Sequence, residues 1–246
     1  MAKQRHLSKA PIVEAVVDLV VEPPCVLDDE LQKRLVERLG DGYSLKGQVQ
    51  RGQFSFNSKL GASAGSHLLG YRFHSADEKF VAQFQVERFT LSRLTPYTTW
   101  EQLRDEAMRL WPIYVNALEP KLVSRAACRY INNLQLPMHL GQDFNVFLEA
   151  PPEVPKELPQ GLMSFMQRFV IAYPDQGAIT TITQVLEPNA ARSFEKVPVI
   201  LDIDVHCQRQ FEPNSADIWE CLERLRSLKN DAFFASITET AAELYA

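Results

Sequence analysis

The chain has 246 residues, of which 46% are hydrophobic and 23% are charged. This composition is that of a folded globular protein and excludes disordered, collagen-like and low-complexity assemblies. The formal net charge of −5 disfavours a general affinity for nucleic-acid phosphates. The four cysteines are widely separated, which is typical of reduced thiols, and no segment reaches the roughly 18 apolar residues of a membrane span. We therefore expect a cytoplasmic protein that has no membrane contact.

The first half of the sequence predicts a strand, a helix, three strands and a helix. A Gly- and Ser-rich stretch at 57–66 predicts a flexible hairpin loop. Within 79–94 the apolar alternation changes phase, which indicates a bulge or turn near Glu87-Arg88. A long helix then begins at the capping box of Thr98 and Glu101. The predicted strands lie at 12–21, 45–57, 67–75 and 79–94, and Asp28 caps the first helix.

The second half predicts the same order of elements. A strand at 125–136 is followed by a short capped helix at 143–149 and a Pro-rich loop at 151–159. A long helix at about 215–236 closes the chain, and it carries the string W-E-x-L that also occurs near the start of the first long helix. The remaining predicted strands lie at 165–173, 178–186 and 197–211. The matching order of elements indicates an internal duplication.

We therefore predict an α+β fold made of two β-α-β-β-β-α units, one over residues 1–120 and the other over 121–246. Two such units place their strands in one curved antiparallel sheet with the helices on one face. The expected result is a saddle that resembles the architecture of the TATA-binding protein. The helix-free face of such a saddle is the natural binding surface, although the fold analogy carries no function with it.

The standard catalytic, phosphate-binding and zinc-binding motifs are absent from the sequence, and we expect no cofactor. The most suggestive cluster is Asp202, Asp204 and His206, which alternate along one strand. Their side chains are expected on one face, about 6–7 Å apart. Two carboxylates and an imidazole can hold a divalent metal or act as an acid–base pair. The favoured interpretation is the solvated side of a strand, because a metal site needs further ligands and nothing in the sequence marks them.

Polar residues on neighbouring strands extend the same predicted face. Arg129 and Asn133 alternate on the strand after the first long helix, and one of Asn132 and Asn133 is expected to face inward and to need a buried hydrogen-bond partner. On the closing helix, three basic residues and three acidic residues predict a solvated face whose charges neutralise one another. These helix residues are Arg224, Arg226, Lys229, Glu220, Glu223 and Asp231.

Five segments together resemble a sporadically distributed family of uncharacterised prokaryotic proteins of similar length. The segments are 9–19, 89–94, 96–100, 129–132 and 228–238, so the resemblance spans nearly the whole chain. The resemblance implies no established activity and no catalytic residues. The patchy distribution of the family implies genes that travel horizontally, as antitoxin and phage-defence genes do.

The leading hypothesis is a non-catalytic cytoplasmic protein that binds a protein partner on the open sheet face. An antitoxin or a phage-defence accessory subunit is a concrete version, with the product of a neighbouring gene as the partner. The alternative is a metal-dependent enzyme centred on Asp202, Asp204 and His206. Nucleic-acid binding would require Arg51, Arg72, Arg125 and Arg129 to converge in one stripe. The predicted site residues are Arg129, Asn133, Asp202, Asp204 and His206.

Overall fold

A computed structural model describes residues 1–22, 29–57, 61–138, 143–187 and 196–246, without the side chains at 29, 52–57 and 61–66. Within these ranges the chain forms nine strands and four α-helices. The predicted cap Asp28 lies outside the described residues. The strands are β1 (Ile12–Glu22), β2 (Tyr43–Asn57), β3 (Gly61–Ser75), β4 (Phe80–Gln85), β5 (Arg88–Leu94), β6 (Leu122–Leu136), β7 (Phe165–Tyr173), β8 (Ala178–Leu186) and β9 (Val197–Cys207). The helices are α1 (Asp29–Leu39), α2 (Trp100–Leu118), α3 (Asp217–Ser236) and α4 (Glu239–Glu243).

The nine strands form one antiparallel sheet in the order β2-β3-β4-β5-β1-β6-β9-β8-β7. Five strands come from the first half of the chain and four from the second, and the two sets meet where β1 pairs with β6. In each half, the last strand before the long helix returns to lie beside the first strand of that half. The prediction of a mixed α+β fold with an antiparallel sheet is confirmed.

The first half contains one strand more than predicted. The predicted strand at 79–94 is a hairpin of β4 and β5, in which Gln85 pairs with Arg88. The change of phase marked this turn, because Phe84 and Phe89 are paired across the hairpin and both side chains face the core. The predicted loop at 57–66 was too long, since the backbone pairing of β2 with β3 extends to Asn57 and Gly61.

The second half lacks the α-helix that was predicted between its first strand, β6, and its second strand, β7. The predicted helix at 143–149 is a single 3₁₀ turn at Phe144–Val146, which is capped by the side chain of Asp143.

In the first half, the helix α2 begins one residue later than its predicted capping box. Its N-cap is Thr99, whose side chain accepts a hydrogen bond from the backbone N–H of Gln102. The predicted order β-α-β-β-β-α is therefore wrong in detail for both halves.

The helices pack on one face of the sheet because alternate strand residues and the apolar stripes of α2 and α3 meet there. The aromatic rings of Phe84 and Phe89 contact Tyr114 on α2, with centroids 6.2 and 5.6 Å apart. On the other half of the same face, the Sγ of Cys128 lies 3.7 Å from the carbonyl oxygen of Leu222 on α3. Burial of these side chains supplies the main stabilisation of the fold.

Candidate functional site

The sheet face opposite α2 and α3 carries polar side chains across its central strands, and we call it the open face. Val17 and Cys128 pair across β1 and β6 and are fully buried on the core side. Neighbouring positions therefore point to the other side, since side chains alternate along a strand. The open face carries the side chains of Glu14, Asp18, Arg125, Arg129, Asn133, Asp202, Asp204 and His206.

Two of the predicted site residues, Arg129 and Asp202, form a bidentate ion pair. The Nε of Arg129 donates to Oδ1 of Asp202 at 2.9 Å, and Nη2 donates to Oδ2 at 2.6 Å. The residue directly opposite Arg129 is Asp204, so this bidentate pair is diagonal across β6 and β9. The hydrogen bonds to Asp202 raise the pKa of Arg129. Both carboxylate oxygens of Asp202 therefore already accept hydrogen bonds from the guanidinium of Arg129.

A chain of alternating charges crosses four adjacent strands, and we call it the ion-pair ladder. It consists of Arg88 on β5, Asp18 on β1, Arg125 on β6 and Asp204 on β9. The guanidinium of Arg125 bridges the two carboxylates, at 2.8 Å from Asp18 and 2.9 Å from Asp204. The Nε of Arg88 lies 3.3 Å from Asp18, whose carboxylate also accepts a hydrogen bond from Thr90 at 2.9 Å. Each carboxylate in the ladder is thus neutralised by a neighbouring strand.

The imidazole of His206 has fewer hydrogen-bond partners than the neighbouring carboxylates. Its Nδ1 lies 3.7 Å from Asp204, too far for a hydrogen bond, and this buried atom has no partner in the described part of the chain. Burial lowers the pKa of His206, and the nearby Arg125 lowers it further, against a smaller opposing effect of Asp204. The side chain of Asn133 accepts a hydrogen bond from Gln135 at 2.7 Å.

The structure therefore brings Asp202, Asp204 and His206 to one face, yet arginines occupy both carboxylates. Across the described residues, no group of three or more histidine, cysteine, aspartate and glutamate side chains is placed to hold a metal ion. The proposed stripe of arginines is also split. Arg72 on β3 lies four strand positions from Arg125 and Arg129 on β6, a separation of roughly 19 Å.

The outer strand β7 differs from the rest of the sheet, because its apolar side chains are exposed. Met166 and Val170 are 73% and 61% exposed on the open-face side, while Phe169 and Ile171 are 40% exposed on the other side. In the described part of the chain, β7 pairs only with β8, so its outer edge presents free backbone donors and acceptors.

A cavity of about 570 Å³ opens on the opposite, helix-bearing side of the sheet. It lies between the N-terminal segment, the start of α2, the strand β6 and the middle of α3. The lining residues that matter most for its chemistry are Tyr97, Tyr130, Asn132, Arg226, Lys229 and Phe233.

The sequence interpretation of Lys229 as part of a solvated helix face is wrong. Its side chain is only 8% exposed and its Nζ lies 3.8 Å from the ring centroid of Tyr130. The signal that could have revealed this burial is its spacing, because Lys229 stands four residues after Leu225 and four before Phe233 in the apolar stripe of α3. The expected inward asparagine is Asn132, which donates to the carbonyl oxygen of Leu201 at 2.9 Å.

Comparison with protein-family models gives no match for this chain, and comparison with curated proteins gives none either. Among the described residues, no α-helix has both the length and the apolar character needed to cross a bilayer.

Proposed function

We propose that this is a non-catalytic cytoplasmic binding protein whose open face receives a protein partner along β7. The observation that carries the proposal is the contrast between the two edges of the sheet. The edge strand β2 carries Lys46 and Arg51, and its pairing with β3 has two register shifts. Charges and bulges of this kind protect an edge from pairing with another chain.

The opposite edge lacks such protection. All nine residues of β7 pair with β8 in unbroken register, and Arg168 is the one charged residue in the strand. An unprotected strand with exposed apolar side chains is suited to strand addition, in which backbone hydrogen bonds give affinity and side chains give specificity. The partner that fits is a protein segment that adopts an extended strand and presents apolar side chains toward Met166 and Val170.

The centre of the open face favours a protein over a polyanion. Three arginines and three aspartates pair there, so their formal charges cancel and exert little long-range attraction on phosphates. A charge-balanced polar surface beside an apolar strip has the composition of a protein–protein interface. The six residues are Arg88, Arg125, Arg129, Asp18, Asp202 and Asp204.

The finer architecture is also a proposal, namely that the sheet is a curved saddle made of two duplicated units, 1–120 and 121–246. What supports it is the equivalent placement of β5 beside β1 and of β9 beside β6. For the binding function, the specific role we propose is an antitoxin or a phage-defence accessory subunit whose partner is the product of a neighbouring gene. The metal-dependent alternative has no such support, because Asp202 and Asp204 are held by Arg129 and Arg125.

The test introduces a charge on β7 by the substitution Val170→Lys. The protein is used as bait in cells of its source, and any captured protein is then purified and titrated by calorimetry against wild type and variant. We expect the affinity for the partner to fall about tenfold or more in Val170→Lys, because a lysine at this position opposes burial of the apolar surface of β7. The matched control is Met163→Lys, which changes an exposed apolar residue just before β7.

Three results would contradict the proposal. The first is equal binding of the purified partner to wild type and Val170→Lys. The second is a wild-type dimer in light scattering that Val170→Lys dissolves, because the occupant of β7 would then be a second copy of this chain. The third is substrate turnover by the purified protein without any partner.

A further inference from the structure

The cavity on the helix side contains a buried positive charge that the fold itself does not neutralise. Within the described residues, the ammonium of Lys229 makes no hydrogen bond or ion pair, and it lies 3.8 Å from the centroid of the Tyr130 ring. A buried ammonium is normally paired, because removal of an isolated charge from water is costly. An aromatic face offsets only part of this cost.

A second cation faces the same cavity. Arg226 precedes Lys229 by three residues on α3, so their side chains are neighbours on one helix face. Across the described chain, Arg226 also makes no hydrogen bond or ion pair. Two adjacent cations repel each other, and an anion between them would relieve both the repulsion and the desolvation cost.

The other charged groups near the cavity already have partners or lie in solvent. Glu223 on α3 accepts hydrogen bonds from Trp100 and Arg104. Arg5 is paired with Glu239 at 2.6 Å, so this basic residue is already neutralised. The one carboxylate among the described lining residues is Glu101, whose side chain is exposed to solvent at the rim. The N-terminus of α2, with its N-cap Thr99 and first helical residue Trp100, also borders the cavity, and the positive end of a helix dipole favours an anion.

Aromatic rings form part of the remaining lining. The rings of Tyr97 and Tyr130 meet edge to face with centroids 5.6 Å apart, and their hydroxyl oxygens lie 3.2 Å apart. Phe233 closes the wall on α3. The volume of about 570 Å³ lies within the usual range for small-molecule sites, and the aromatic rings share the lining with polar side chains such as Asn132 and Asn230.

We propose that this cavity binds a small organic anion, with its acidic group between Lys229 and Arg226 and a flat apolar body against Tyr97, Tyr130 and Phe233. This site lies on the opposite side of the sheet from the open face and is independent of the partner proposed for β7. A carboxylate and a phosphate monoester share the required chemistry. A neutral analogue leaves both cations unpaired and is expected to bind weakly.

The test titrates the protein with 2-naphthoate, 2-naphthyl phosphate and neutral 2-naphthamide. Calorimetry gives the affinities. We expect both anions to bind at least tenfold more tightly than the amide. In Arg226→Gln and in Lys229→Met the affinity for the better anion is expected to fall roughly ten- to a hundredfold, the range for loss of a charged hydrogen bond.

The matched control is Arg224→Gln, which removes the same charge from an exposed position of α3 outside the cavity lining. Tighter binding of the phosphate or of the carboxylate assigns the acidic group of the ligand, and either result supports the proposal. Equal binding of the amide, no binding of either anion, or unchanged affinity in a folded Arg226→Gln variant would overturn it. Displacement of 2-naphthoate by inorganic phosphate alone at equal concentration would contradict the role given to the aromatic walls.

Discussion

The charged side chains at the centre of the open face are paired with one another, whereas two cations in the cavity on the helix side have no such partner among the described residues. On the open face, Arg125 bridges two aspartates, and Arg129 holds a third. On the helix side, Lys229 is buried and Arg226 is half-buried beside it, and the described chain provides neither with a counter-charge. Paired charges favour a structural or interface role, whereas an unpaired buried cation favours a ligand site.

The largest expected effect comes from removal of the buried cation. Burial lowers the pKa of Lys229 to about 7, while Cys128 raises it and Arg226 lowers it further by smaller amounts. Between pH 10 and pH 7 the unfolded chain takes up a proton that the folded protein does not, so the wild type loses stability as the pH falls. We expect Lys229→Met to increase the free energy of unfolding by about 2–4 kcal/mol at pH 6.

This effect has a defined pH window. The advantage of Lys229→Met should shrink as the pH rises above 7 and fall below about 1 kcal/mol near pH 10, where the unfolded lysine approaches its own pKa. Urea unfolding of wild type and variant at pH 6, 8 and 10 measures it. A constant difference across these values, or a variant less stable at pH 6, would show that the lysine is already compensated.

The second prediction concerns Asp18, which joins the ion-pair ladder across three strands. The substitution Asp18→Ala leaves Arg125 with one partner in place of two and removes the acceptor of Thr90. We expect a loss of about 2 kcal/mol in the free energy of unfolding at pH 7, because partly buried charges and donors lose their partners. Chemical denaturation checks the value.

The control for the ladder is Glu14→Gln on the same strand and face, which should change stability by less than about 0.5 kcal/mol. In a double variant, Asp18→Ala with Arg125→Met, the losses should be less than additive, because both substitutions remove the same contact between Asp18 and Arg125. If the two substitutions simply add, Asp18 and Arg125 are not coupled.

The smallest effect is expected at the bidentate ion pair. The side chain of Arg129 is about half exposed, so water screens its pairing with Asp202. Arg129→Gln should therefore cost less than about 1 kcal/mol, and the cost should fall further in 1 M salt. A salt-independent loss above 2 kcal/mol would place this ion pair among the buried, structurally essential contacts.

From the sequence it was possible to predict on which face of a strand a side chain lies, but not which strands are adjacent in the sheet. Alternation placed Asp202, Asp204 and His206 on one side of β9 and predicted an inward asparagine. It did not predict that arginines would occupy both carboxylates, because ion pairing depends on which strands are adjacent and in what register. The position of β7 at an unprotected edge was hidden for the same reason.

Helical patterns failed in a different way. Lys229 was assigned to the solvated side because charged residues surround it in sequence, yet the apolar spacing from Leu225 to Phe233 determines its side of α3. The turn between β4 and β5 was marked by the phase change, while its full reversal of direction was not. Local sequence thus indicates the spacing of side chains, and tertiary contacts decide what each one meets.

The most direct test of the unpaired cation is nuclear magnetic resonance of lysine labelled with ¹³C at Cε, with Lys229→Met used to assign the signal. Without ligand, we predict that the Lys229 resonance reports a pKa near 7. Addition of 2-naphthoate should raise this pKa, since a bound anion favours the charged amine. A Lys229 signal that reports a pKa near the usual 10 for lysine, unchanged by the anion, would contradict the account.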